Sequence, residues 1–195
     1  TIVISARKLS AKPTRSFYFE GKEASEFGKK ALKLIDIFAQ DFPEVNNYDL
    51  QILSENTFPH SSGIASSASS MSSLSLCLCE FIKSIRGGEF KDFFQEASHY
   101  ARLGSGSAAR SVFGGVVSWG ANSLDENSSD LFATKLNDEI HSDMKNICDT
   151  IVLIHDGVKK VSSTQGHALM EVHPFRDVRI LNANNRFKEL IDVNK

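Results

Sequence analysis

The chain has 195 residues, with 22 Lys and Arg against 24 Asp and Glu, 41% hydrophobic residues and 9% aromatic ones. This is ordinary globular composition, long enough for one domain, or two small ones, with a real core. A net charge of -2 spread along the chain leaves no basic footprint for DNA or RNA, and no run approaches the roughly 18–20 apolar residues of a membrane-spanning helix. The first residues, Thr1–Lys8, lack the charged-then-apolar order of a secretory signal and begin inside a strand-like run. They read as part of something longer. Three cysteines, Cys77, Cys79 and Cys148, cannot build a disulfide framework and point to a reducing, cytoplasmic setting.

Thr1–Ala6 is apolar and β-branched, and Ser16–Glu20 alternates; both are predicted strands, separated by a polar turn or loop containing Pro13. Over residues 24–40, Phe27, Ala31, Leu34 and Phe38 recur at helical spacing while Lys29, Lys30 and Lys33 face elsewhere. Pro43 closes that unit, and Tyr48–Ser54 alternates as a strand. A small-residue stretch, 56–71, then runs into an apolar helix that Arg86-Gly87-Gly88 should stop. Phe90–Leu103 is the next predicted helix, with Phe93, Phe94, Ala97, Tyr100 and Ala101 inward. A small-residue loop over Gly104–Gly115 leads into a strand at Val116–Gly120, where Trp119 is expected in the core. The polar 121–130 loop is expected to be mobile. Leu131–Leu136 and a buried Asp149–His155 are strand candidates, and Ser163–Glu171 and Phe175–Val193 are helices joined at Pro174. Strands alternating with helices make the chain α+β or α/β.

Two segments carry chemistry. Residues 59–70, Pro-His-Ser-Ser-Gly-Ile-Ala-Ser-Ser-Ala-Ser-Ser, stand between a strand and a long helix. Small residues let the backbone approach a ligand, and a helix start offers unpaired N–H groups with a partial positive charge. Such an entry suits phosphate, although the Walker lysine is absent. On composition alone, an ordinary N-cap with a small-residue packing face explains it equally well. The second segment, Gly104-Ser-Gly-Ser-Ala-Ala-Arg-Ser-Val-Phe-Gly-Gly115, places one cation, Arg110, among Gly and Ser, where it can grip a phosphate or carboxylate bidentately. A Gly-rich turn with a solvent-facing Arg is the plainer alternative.

The order Pro-x-x-x-Gly-x-x-Ser-Ser-Ala resembles the phosphate loop of the galactokinase, homoserine kinase, mevalonate kinase and phosphomevalonate kinase superfamily. Glu55-Asn-Thr-Phe-Pro, Gly63-Ile-Ala-Ser-Ser-Ala, the Gly104–Gly115 segment and Lys160-Val-Ser-Ser-Thr-Gln-Gly166 follow in order. Together they resemble the mevalonate diphosphate decarboxylase family, a decarboxylating branch of that superfamily. The resemblance implies an α+β, GHMP-kinase-like fold with a ribosomal-protein-S5-like N-terminal domain, incomplete here at both ends. Its N-terminal domain would occupy residues 1–155, and residues 156–195 would start a truncated C-terminal domain. It implies that Gly63, Ala65, Ser66 and Ser67 hold ATP phosphates. Ser105, Gly106, Ser107, Ser162 and Ser163 would bind mevalonate 5-diphosphate, with Arg110 on the carboxylate that leaves. ATP and Mg²⁺ are the implied cofactors and a homodimer the implied assembly.

The implied reaction phosphorylates the substrate's 3-hydroxyl and expels phosphate with carbon dioxide, giving isopentenyl diphosphate and ADP. A Tyr-Trp-Gly-Lys segment and a catalytic Asp, both implied by the family, are not found in this sequence, so the 195 residues alone should not turn over efficiently. Neighbouring readings are a mevalonate 3-kinase, a mevalonate 5-phosphate decarboxylase, and a superfamily remnant that only binds nucleotide. Elsewhere, His60 sits beside the phosphate loop, where a loop histidine with no role is the plainer reading than one touching nucleotide; His99, His141, His155, His167 and His173 show no metal-ligand spacing, and Cys77 and Cys79 point to different sides of one helix.

Overall fold

Period-two and period-3.6 patterns separate cleanly in the first half of the chain, and the backbone follows them. The computed structural model describes residues 1–8, 12–58, 64–122, 125–136, 141–152, 166 and 168–193. Strand β1 spans Ile2–Lys8, β2 Arg15–Phe19, β3 Lys22–Glu23 and β4 Tyr48–Ser54, and they form one sheet in the order β1-β4-β2-β3. The central strand β4 runs antiparallel to β1, with Ile4 opposite Ile52, and parallel to β2, with Phe17 opposite Ile52. The consecutive strands β1 and β2 are therefore not a hairpin; β4 lies between them. A hairpin does join β2 to β3, through Glu20 (φ 50°) and Gly21 (φ 77°). Two central residues with positive φ are what a tight two-residue turn needs.

Along β4, Leu50, Ile52 and Ser54 are buried while Gln51 and Leu53 are exposed, so one face of the sheet meets the core. Helix α1 (Ser25–Asp41) covers that face with Ala31, Leu34, Ile35 and Phe38. Helix α2 (Ser66–Arg86) adds Leu74, Leu78 and Ile82 and stops at Gly87, which turns left-handed (φ 66°) and donates its N–H to the Lys83 carbonyl at 3.0 Å. Helix α3 (Phe93–Gly104) packs against α2 through Ala97, Tyr100 and Ala101. The Phe38 ring stacks on Phe42 at 4.5 Å and meets Tyr100 edge-on at 4.6 Å, tying α1 to α3. Strands β5 (Val117–Trp119) and β6 (Ala133–Lys135) form a separate antiparallel pair, and α4 (Arg176–Val193) follows a 3₁₀ turn at Met170–Val172.

The α+β class is as expected, and several details differ. Helix α3 starts at Phe93, not Phe90, because Asp92 caps it, its carboxylate accepting the Gln95 N–H at 2.9 Å. Phe94 is not inward: it is 48% exposed, its ring lying against those of Phe93 and Phe113. The Gly104–Gly115 segment is not a plain loop, since Gly106–Val112 winds into a 3₁₀ helix. Trp119 is 39% exposed and lies across that helix, its indole N–H reaching the Asp130 carbonyl at 3.1 Å. The 121–130 segment carries its own hydrogen bonds: Ala121 N–H to Asp130 Oδ1 at 2.9 Å and Asn122 N–H to Ser128 Oγ at 2.9 Å. Residues 149–152 form no strand, and Val152 is 78% exposed, because no neighbouring strand among the described residues pairs with them. The remainder of that predicted strand, residues 163–165, and the Phe27 side chain lie outside the described residues.

Candidate functional site

The site lies where two helix ends converge. After β4 the chain reaches Ala65, which sits in the left-handed region (φ 53°, ψ 37°), and α2 begins at Ser66. The Ala68 and Ser69 N–H groups fold back onto the Ala65 carbonyl at 2.9 and 3.2 Å. Among the described residues no side chain caps this start, and no acidic residue sits in its first turn. A helix of 21 residues thus opens with its first amide donors and its positive dipole end available. Left-handed alanine is strained, and such strain concentrates where the fold holds a ligand-facing turn. Ser66 is half-buried and Ser67 is exposed.

The second end is that of α3. A Cβ on Gly104 would stand 2.7 Å from Met71 Sδ on α2, so a larger residue here would have to push the Met71 side chain aside. Ser105 is extended, and the 3₁₀ helix follows with Ala108, Ala109 and Val112 buried and Arg110 and Ser111 exposed. Side chains three apart eclipse in a 3₁₀ helix, which puts Ser107 and Arg110 on one edge. A Cβ on Gly106 would lie 3.0 Å from the Trp119 ring, so glycine seats the indole against the turn. Among the described residues no carboxylate pairs with the Arg110 guanidinium. The Ser67 and Ser105 hydroxyls lie 3.4 Å apart. Segments 38 residues apart in sequence therefore share one rim.

Ser98 lies beneath this rim. It is fully buried on α3, donates its hydroxyl to the Ala109 carbonyl at 2.8 Å and accepts the Ala133 N–H of β6 at 2.9 Å. Sequence reading missed it, as it missed the seat of Trp119 on Gly106. One serine inside a helix carries no motif, and its partners lie 11 and 35 residues away. Asn56, in the Glu55-Asn-Thr-Phe-Pro motif, has its Nδ2 buried with no hydrogen-bond partner among the described residues.

Four shifted titrations, those of Cys77, Cys79, Glu96 and Tyr100, have burial as their first cause. Burial pushes the Cys79 thiol up to about 12, which makes it inert, and also raises Cys77. Burial, then the 2.6 Å hydrogen bond to Asp41, pushes the Tyr100 phenol far above its ordinary value. Burial likewise raises Glu96. None of these groups reaches the rim by a hydrogen bond. No group of three or more His, Cys, Asp or Glu comes together among the described residues. The structure brings Ala65, Ser66, Ser67, Ser105, Gly106, Ser107 and Arg110 to the two converging ends; Gly63, Ser162 and Ser163 lie outside the described residues.

The same α+β core recurs in known folds. The mevalonate diphosphate decarboxylase of Trypanosoma brucei matches with a TM-score of 0.65 and 27% identity over 95% of this chain and 47% of that one. MDDEF in complex with MVAPP, AMPPCP and magnesium matches with a TM-score of 0.69 over 98% of this chain and 56% of that one, at 24% identity. The diphosphomevalonate decarboxylase of Saccharomyces cerevisiae is 35% identical over 127 residues, 65% of this chain and 30% of that protein. The model of the diphosphomevalonate decarboxylase-like N-terminal domain matches residues 3–130. The chain belongs to the diphosphomevalonate decarboxylase-like family. It spans less than a third of the length of the yeast relative.

Proposed function

We propose that this chain carries the nucleotide- and substrate-binding part of an enzyme that uses ATP to decarboxylate mevalonate 5-diphosphate to isopentenyl diphosphate, ADP, phosphate and carbon dioxide. The carrying observation is the 3.4 Å approach of Ser67 to Ser105, which joins an open helix start to the Arg110 turn. Two anions that must react need adjoining cradles, and these two segments adjoin. The relatives' names and the MVAPP, AMPPCP and magnesium complex support the same substrates.

The residues present fit these groups. Among the described residues the α2 start has no side-chain cap, and Asn56 Nδ2, which finds no partner among them, is a further donor on the approach to it. We assign the ATP phosphates to Gly63, Ala65, Ser66 and Ser67, with Mg²⁺ held chiefly by phosphate oxygens and water, as is usual for this cation. ATP supplies the phosphoryl group that turns the substrate's 3-hydroxyl into a leaving phosphate, and Mg²⁺ offsets the charge. The α2 amides and serine hydroxyls orient the phosphates. Ser105, Gly106 and Ser107 seat the substrate, and Ser162 and Ser163 belong to the same set. Arg110 holds the carboxylate in place while the carbon–carbon bond breaks. That bond's electron pair becomes the new double bond as the 3-phosphate departs. On the same reading, residues 1–155 form the N-terminal domain and residues 156–195 begin the next, in a cytoplasmic homodimer.

The test offers the full-length protein mevalonate, mevalonate 5-phosphate and mevalonate 5-diphosphate with ATP and Mg²⁺, and follows ADP and carbon dioxide together. Equal amounts of both from the diphosphate alone are expected. ADP without carbon dioxide would make the protein a 3-kinase, decarboxylation of the monophosphate would move the substrate, and no turnover would leave a nucleotide-binding remnant.

A further inference from the structure

We infer that Ser98 is the positioning residue for Arg110: it fixes the peptide plane from which the arginine projects. This rests on the role given to Arg110 above. The Ala109 carbonyl and the Arg110 Cα belong to one planar peptide unit, so a bond that holds the oxygen also holds the arginine's backbone. Ser98 donates to that oxygen at 2.8 Å. A serine hydroxyl has one donor and two acceptor sites, and the Ala133 amide can only donate. The 2.9 Å contact from Ala133 therefore takes an acceptor site, and the hydroxyl proton is left for Ala109. Both bonds are buried, where water cannot replace them.

The arrangement makes a three-way joint. Ser98 is on α3, Ala109 on the 3₁₀ helix and Ala133 on β6. Ala108 and Ala109 are themselves fully buried, so the inner side of the turn is packed while its outer side carries Arg110 to solvent. An exposed arginine on a short turn is otherwise mobile; anchored at Ala109, it meets a carboxylate at a defined place. Trp119, the chain's single tryptophan, rests on Gly106 of the same turn and reports its position by fluorescence.

The experiment compares wild type, Ser98→Ala, Arg110→Ala and the double variant in the full-length protein, with Ser75→Ala as control. Ser75 is equally buried but bonds only the Met71 carbonyl within α2. Ser98→Ala is expected to lower kcat/KM about ten- to hundredfold, the scale of a misplaced reacting group. It should also shift Trp119 emission, while Ser75→Ala does neither. The double variant should be no worse than Arg110→Ala alone, because a positioning residue has nothing left to position. Losses that multiply would overturn the inference, as would unshifted emission in Ser98→Ala. If Arg110→Ala keeps full activity, the carboxylate role has failed instead, and the emission alone then decides whether Ser98 holds the turn. Should Ser98→Ala not fold, Ser98→Cys keeps the shape of the side chain, with a slightly larger atom, and weakens both bonds; a folded variant with reduced kcat/KM is expected, and wild-type kcat/KM would overturn the inference.

Discussion

Phe38 and Phe175 show two fates for the same side chain. Phe38 is fully buried among α1, α3 and the sheet; Phe175, before α4, is 66% exposed. The difference extends to their regions. Between Phe17 and Val112 the buried apolar residues form one core cluster, and helix ends, glycines and a buried serine place the rim. From 141 onward, Ile147, Ile151, Val152, Leu169 and Val172 are exposed, and on α4 Ile191 alone is a buried apolar residue among the described ones. A helical apolar pattern states that a face exists; the partner that covers it is a separate fact. The family match over residues 3–130 falls on the packed region.

Paired truncations test this contrast most strongly. Phe38→Ala should cost about 3–5 kcal/mol in chemical denaturation, and Phe175→Ala less than about 0.5 kcal/mol. Equal losses would mean that both regions are packed alike in solution. Next, Gly28→Ala should cost about 1–3 kcal/mol, because its Cβ would meet Phe17 Cβ at 2.7 Å and neither atom can swing away. A neutral result would show a looser α1–β2 contact than the structure has. Asp92→Ala should lower stability by about 1 kcal/mol by uncapping α3, read as a fall in Tm.

The smallest effect is electrostatic. Glu96 is pushed above its ordinary 4.5, first by burial and then by Asp41, with His99 opposing. A carboxyl raised on folding contributes stability that is fully present below its unfolded pKa and lost as pH rises through the folded value. Glu96→Gln should therefore gain on wild type as pH is raised from about 4 to about 7, seen as a flatter Tm–pH curve. A parallel curve would place Glu96 in water.

Much of the packed region was legible in the sequence because its signals are local. Leu50 and Ile52 at period two give β4, and Gly87 after Arg86 gives the end of α2. The small-residue entry to α2 and the Arg110 turn were legible as motifs, though not their 3.4 Å meeting, which accompanies the close α2–α3 contact at Met71 and Gly104. What escaped is long-range. Ser98 matters only through partners in two other elements, and Trp119 is held half-open by Gly106. The β2–β3 turn escaped for another reason: Glu20 takes a positive φ where glycine or asparagine is the usual signal. The Ile151-Val152 pair reads as a strand on propensity, but a strand also needs an edge to pair with.

On the proposed function, the α2 start and the Arg110 turn form one reaction site. The most direct test is the carbon dioxide released per ADP formed from mevalonate 5-diphosphate by wild type and by Arg110→Ala. One carbon dioxide per ADP in wild type, with decarboxylation in the variant down by about a hundredfold or more, is the predicted result. An Arg110→Ala protein that decarboxylates like wild type would contradict it.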